Sequence, residues 1–316
     1  MKKLLFIFNP LSGMMKIQRK LFEVVDYYSR RGFLVTCYPT KRTHDGYEYL
    51  KGLTESYDLI VCSGGDGTLN EIVSALLDSG KTGPLAYLPA GSTNDFGRSI
   101  GLSTEIGQAL RVFETGHPVS VDIGCFNDRR FIYVAAFGIF TNVSFTTPQD
   151  MKNMIGHAAY LLESMKAVTE LKSTRMTLTW DGGIVSGDFV LGMISNSSSV
   201  AGIQTPMLAD TVLNDGLFEV TLVRMPKNVI DLQDILFAYL TGGKSDNLVC
   251  FRSAHLEIDS ENAEWTLDGE NGGWHTHAVI DVIPRAVKIL ASGRIPVGEK
   301  AVLSAKDPAD QKSTGA

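Results

Sequence analysis

The sequence predicts an α/β domain built on a parallel sheet, followed by a β-rich, sandwich-like domain. Three observations carry this. In the first third, short apolar runs alternate with segments whose apolar residues recur every three or four positions, the pattern of strands joined by crossover helices. Beyond Gly116 the helical period gives way to longer strand-like runs, several parted by turn signals such as Asn127-Asp128 and Asp181-Gly182-Gly183. The length of 316 residues, 44% of them hydrophobic and 20% charged, is enough for two cores.

Along the chain, "KLLFIF", residues 3–8, is a first strand, broken by the turn-forming "NPLSG". Ile17, Leu21, Val24, Val25 and Tyr28 share one face of a helix that Gly32 closes. "FLVTCYPT" is a second strand, and "HDGYEYLKGL" a helix weakened by its glycines. "YDLIVCS" is a third strand, after which Leu69, Ile72, Val73, Leu76 and Leu77 form a helical stripe. "PLAYLPA" gives a fourth strand, "GSTNDFGRS" a loop, and Ile106, Leu110 and Phe113 another helix. We place the first domain at 1–122, the β-rich domain at 123–297 and a disordered polar tail at 298–316. Within the second domain, strands are expected around 120–138, 174–196, 217–225, 249–260 and 277–292, with helices near 151–171 and 227–241.

Composition narrows the function. Lys and Arg total 29 against 35 Asp and Glu, a net charge of −6 without long runs of either sign. That balance speaks against a nucleic-acid partner and against polybasic anchoring on a membrane. The four cysteines, at 37, 62, 125 and 250, show no zinc spacing, and are expected to be buried, reduced thiols. The apolar start from Leu4 to Phe8 is too short for a signal peptide, and no stretch is long enough to span a bilayer. A cytoplasmic protein is expected.

Three segments carry chemistry. "SGGDGTLNE", Ser63 to Glu71, runs from a buried strand into a helix. Its glycines let backbone amides approach a phosphate at the positive helix end, and Thr68 adds a hydroxyl donor. Asp66 would repel a bare phosphate; it implies Mg²⁺ between carboxylate and phosphate oxygens, unless it only caps the helix. "PAGSTNDFGRS", Pro89 to Ser99, follows the next strand, and its "STND" also reads as a capped helix start; "NPLSG" follows the first. Ligands of open parallel sheets bind at such strand ends. Neither a Walker loop nor a dinucleotide fingerprint is present. The third segment pairs "LNDGLFEV" with "LDGENGG". A two-residue turn is complete with Asp268-Gly269 and has no use for Glu270, whereas phosphoryl transfer to an alcohol gains from a carboxylate that takes the hydroxyl proton.

In this order and spacing, "SGGDGTLNEIV", "PAGSTNDFGRS", "LNDGLFEV" and "LDGE" resemble the diacylglycerol kinase catalytic-domain superfamily, in particular the soluble bacterial lipid kinases related to sphingosine kinases. The resemblance spans residues 2–292. It implies a nucleotide-binding α/β domain, a β-sandwich-like domain and an active site in the cleft between them. It also implies ATP contacts at Asn9, Pro10, Ser12 and Gly13, at Thr40, at Gly64, Gly65, Asp66, Gly67, Thr68 and Asn70, and at Thr93. Glu270 would be the general base and Asp66 a catalytic carboxylate for Mg²⁺·ATP. Asp215, with the carbonyls of Val212 and Leu217, would hold a separate structural Mg²⁺.

The implied reaction is transfer of the γ-phosphate of ATP to a lipid hydroxyl, with diacylglycerol the favoured acceptor and phosphatidic acid the product. The lipid would be met by transient contact with a membrane surface; a homodimer is left open. Two other readings compete. NAD kinase shares GGDGT, but "PAGSTNDFGRS" and Glu270 argue against it. A non-catalytic nucleotide sensor would have no need of Glu270.

Overall fold

The computed structural model describes residues 1–81, 83–139, 171–200 and 206–292. The helix expected over 151–171 lies, but for its last residue, outside them, as does the tail 298–316.

The first half alternates β1 (Lys2–Phe8), α1 (Ser12–Ser29), β2 (Phe33–Pro39), α2 (Asp45–Gly52), β3 (Leu59–Gly64), α3 (Asp66–Ser79) and β4 (Leu85–Pro89). The strands are parallel in the order β4-β3-β1-β2. Leu4 to Phe8 and all of β4 are buried, as strands covered by helices on both faces must be. The register sets where these strands stop. Phe8 lies opposite both Pro39 and Ser63, and Gly64 opposite Pro89. The four strands therefore end at one level, and their loops emerge side by side.

The predicted helical stripes face this sheet. Ile17, Val24 and Tyr28 of α1 are buried, as are Leu69, Ile72, Val73 and Leu76 of α3. Each such side chain contributes about 1.5–3 kcal/mol, and together they fix where the N-terminus of α3 points. Both readings of "GSTNDFGRS" hold: the loop leads into a short helix, α4 (Asp95–Ser99), with Asn94 at its cap position. The helix expected through Ile106, Leu110 and Phe113 is two, α5 (Ile106–Leu110) and α6 (Val112–Thr115), because the chain tightens at Arg111, whose amide bonds the Gln108 carbonyl.

The second half holds β5 (His117–Phe126), β6 (Arg129–Phe131), β7 (Val134–Gly138), β8 (Thr174–Trp180), β9 (Gly183–Ser195), β10 (Phe218–Arg224), α7 (Val229–Thr241), β11 (Leu248–Ser253), β12 (His255–Leu267) and β13 (Glu270–Ala291). Pairing here is antiparallel, around a core that includes Phe126, Phe137, Phe189 and Trp265. The strand β13 is 22 residues long and does two jobs. Its first part pairs with β12. Past an irregularity between Ile283 and Val287, it continues beside β5 and meets β4 at Ile289↔Leu85. Val287, Ile289, Leu290 and Ala291 thereby join the core of the parallel sheet, and the strands form one sheet running β11-β10-β9-β7-β12-β13-β4-β3-β1-β2.

The cysteine expectation is corrected. Cys62 is buried and Cys125 half-buried, but Cys37 and Cys250 are exposed. Both stand on the edge strands β2 and β11, where only one flank is covered. Among the described residues, no helix is long and apolar enough to cross a membrane.

Candidate active site

The stretch Gly64–Thr68 closes β3 and opens α3, and neighbouring groups account for its glycines. A Cβ on Gly64 would stand 2.5 Å from Thr68 Cβ and Oγ1, so Thr68 folds back over the strand end. A Cβ on Gly91 would stand 2.5 Å from Gly65 Cα. The loops after β3 and β4 thus touch backbone to backbone, further tied by Ala90 N–H to the Gly64 carbonyl at 2.8 Å. Asn94, left-handed at φ +51°, closes the second loop on itself: its amide group donates to the Gly91 carbonyl and its Oδ1 accepts the Gly91 amide, each at 2.8 Å.

Asp66 is the first residue of α3, and the helix is capped by Gly65 without a side-chain bond. The capping alternative for Asp66 therefore falls. Its Oδ2 accepts the Asp95 amide at 3.2 Å and the Thr93 hydroxyl at 3.5 Å, while Oδ1 is buried without a partner. Burial first, then the carboxylates of Asp95 and Asp268, push its carboxyl up to about 7.

Glu270 reaches the same place from the other half of the chain. Asp268 (φ +52°) and Gly269 (φ +82°) form the two-residue turn between β12 and β13, both left-handed as a type I′ hairpin requires. Glu270 follows, and its carboxylate lies over the loop Gly64–Thr68, so close that a Cβ on Gly67 would collide with Glu270 Oε1. A cavity of about 210 Å³ opens beside it, between His44, Glu71, Arg129 and Arg130.

Asp268 is more than a turn residue, which its sequence context did not reveal. Its buried carboxylate accepts the amides of Ile132, Tyr133 and Val134 at 2.7–3.1 Å and the Asn70 side chain at 2.6 Å. Burial raises its carboxyl to about 6 in spite of these donors. Asn70 also donates to the Arg130 carbonyl at 3.0 Å, so its amide joins the two halves beside the cavity it lines. A second hidden contribution comes from the polar run Ser195–Ser199 after the apolar end of β9. Ser199 donates to Asp95 Oδ1 at 2.7 Å, and Ser197 and Ser99 share a bond of 2.7 Å. The visible signal was this polar run directly behind an apolar strand.

The other predicted residues sit on the neighbouring loops or further off. Asn9 turns the chain after β1, its Oδ1 accepting the Leu11 amide at 2.9 Å; Pro10 follows in the turn, and Ser12 and the left-handed Gly13 open α1. Thr40 is buried, its amide bonded to the Phe8 carbonyl at 2.9 Å. These loops share the strand-end level of Gly64–Thr68. Asp215 lies apart from them, before β10. Its carboxylate accepts the Leu217 amide at 3.1 Å and pairs with Arg252, which also bonds Glu219 at 3.2 Å. Burial pushes Glu219 up to about 7, against the pull of Arg252, and its Oε2 has no hydrogen-bond partner. Val212 and Leu217 flank Asp215 in the same loop.

Residues 3–126 match the family described as the diacylglycerol kinase catalytic domain, and residues 134–291 the C-terminal NAD kinase beta sandwich-like domain of the YegS type. A diacylglycerol kinase of Staphylococcus carnosus (strain TM300) is 33% identical over 276 residues, 86% of this chain and 90% of that protein. The chain belongs to the diacylglycerol kinase catalytic-domain family. Within this family of lipid kinases, a diacylglycerol kinase of Staphylococcus aureus (strain MRSA252) is 31% identical over 86% of this chain and 87% of its own. In fold, the chain is similar to the crystal structure of a diacylglycerol kinase from Bacillus anthracis str. Sterne, with TM-score 0.70 at 21% identity, over 93% of this chain and 98% of that one.

Proposed function

We propose that the protein transfers the γ-phosphate of ATP to the hydroxyl of a lipid, diacylglycerol first among candidates, in the cleft between the two halves. The observation that carries this reading is the Glu270 carboxylate lying over Gly67 of the phosphate loop. Amides at the start of α3 receive phosphate oxygens, with Thr93 and the loops holding Asn9 and Thr40 as the other walls. Glu270 takes the proton of the acceptor hydroxyl as its oxygen bonds to the γ-phosphorus and the bond to the bridging oxygen breaks, leaving ADP. Asp66, with a buried and unpartnered Oδ1, fits a divalent cation and would hold Mg²⁺ against the phosphates. Such a cation neutralises charge on the transferring group.

Asp215, with the carbonyls of Val212 and Leu217, is the proposed seat of a second, structural Mg²⁺. The fit rests on two carboxylates, Asp215 and Glu219, sharing a single guanidinium. The acceptor is collected by transient contact with a membrane surface.

The test is transfer of radiolabelled γ-phosphate from Mg²⁺·ATP, in detergent micelles, to diacylglycerol and to a total lipid extract, with NAD in a parallel tube. Label in an organic-soluble product is expected. Label on NAD alone would move the chain to the nucleotide-phosphorylating side. Bound ATP without any transfer would make it a sensor.

A further inference from the structure

Glu71 closes the stretch Gly64–Glu71, and its carboxylate reaches across to the turn after β2. Oε1 accepts the His44 amide at 2.7 Å, and the Gly46 amide stands near enough to the same carboxylate to favour its charged form. The fit around Gly46 is close. A Cβ there would stand 3.2 Å from Glu71 Oε2 and from Ile72 Cδ1, and 3.5 Å from Thr40 Cγ2. What Glu71 grips is the turn between β2 and α2, which is also closed internally by the Lys41 amide on Asp45 Oδ2 at 2.8 Å. At its end, His44 is held left-handed at φ +63°, a conformation unfavourable to any residue with a Cβ. Something outside the turn has to hold it there, and the Glu71 carboxylate is in place to do so.

We infer that Glu71 is a positioning residue, whose carboxylate clamps the turn 41–46, and with it Thr40, against α3, so that nucleotide meets a preformed wall. This rests on the proposed nucleotide site. A carboxylate suits the task because it only accepts. Glutamine would turn an NH₂ group toward one of the two amides, setting donor against donor. Glu71 also lines the cavity beside Glu270, so a direct part in the chemistry is the rival that the test must exclude.

The test compares wild type with Glu71→Gln, His44→Gly and the double variant. Three quantities are read: affinity for a fluorescent ATP analogue with Mg²⁺, KM for ATP against kcat in micelles, and the rate of tryptic cleavage after Lys41 or Arg42, both exposed in the turn. Losing a hydrogen bond to a charged group should weaken nucleotide binding roughly tenfold, with KM for ATP following, kcat nearly unchanged and the turn cut faster. Glycine adopts φ +63° without penalty. Adding His44→Gly to Glu71→Gln should therefore restore most of the affinity and the protection.

A fall in kcat with affinity intact would put Glu71 in the chemistry and overturn the clamp. Affinity lost and not restored by His44→Gly would overturn it too, leaving only general packing. If the wild type binds no nucleotide, the proposed function fails, and the cleavage rates still decide the clamp: faster cutting rescued by His44→Gly upholds it, and unchanged cutting refutes it.

Discussion

Asp66 is a carboxylate that folding makes costly to ionise. Its carboxyl rises from 3.8 to about 7, so the folded state holds a proton that the unfolded chain has already released. Stability from this group is complete below about pH 4 and is lost as pH rises through about 7. Asp66→Asn does not titrate. Its melting temperature should therefore gain on that of the wild type between about pH 5 and pH 8 in nucleotide-free protein, with no such trend if Asp66 ionises normally. Glu270 supplies the complementary prediction. Glu270→Gln should lower turnover by about 10²–10⁴-fold while nucleotide affinity stays nearly constant, measured by phosphate transfer and direct titration. Both residues were legible in the sequence because each is a carboxylate where a turn needs none. The bond between Asp268 and Asn70 was not. Their contacts lie 198 positions apart, and a turn aspartate that grips distant amides looks the same in sequence as one that does not.

Among the elements, the hairpin β12–β13 is held at its turn by the buried Asp268 carboxylate. Asp268→Ala would leave the amides of Ile132, Tyr133 and Val134 without their acceptor, at a cost of about 1–3 kcal/mol or more, read as a lower denaturant midpoint. The loop glycines should separate into two kinds. Gly67→Ala meets the tip of a flexible side chain, Glu270, and should impair turnover with little change in melting temperature. Gly91→Ala meets the backbone of Gly65 at 2.5 Å and should lower both. The periodic elements, β1 to β4 with α1 and α3, were readable because one face of each helix packs on a sheet and the apolar spacing records it. Helix α4 was legible as a helix start in "STND", though its Gly, Ser and Asn neighbours also spell a loop. It starts where Asn94, left-handed, folds that loop closed.

At the scale of the molecule, the two halves meet through Asn70, Asp268 and Arg130, whose guanidinium bonds Asp78 of α3 at 2.7 Å. The Asp215 loop is tied to β5 by the Asp122 amide on the Leu213 carbonyl at 2.8 Å and by the Gly216 amide on Asp122 Oδ2 at 2.7 Å, and a cation there would brace that joint. Mg²⁺ alone should raise the melting temperature of nucleotide-free protein, and Asp215→Asn should abolish that rise; an equal rise in both would place the ion elsewhere. That the sheet is continuous could not be read from sequence, since strand patterns do not name their partners.

That continuity bears on how the chain folds as it is made. The edge of β4 is covered by Ile289, and the Ile100 carbonyl accepts the Ser292 amide at 3.0 Å. A nascent chain that has already formed β1 to β4 must wait for nearly all the rest before that flank is closed. Contacts of such separation slow folding and leave a strand edge open to other chains meanwhile. Synthesis stalled or truncated short of Val287 should therefore yield aggregate rather than a soluble nucleotide-binding half.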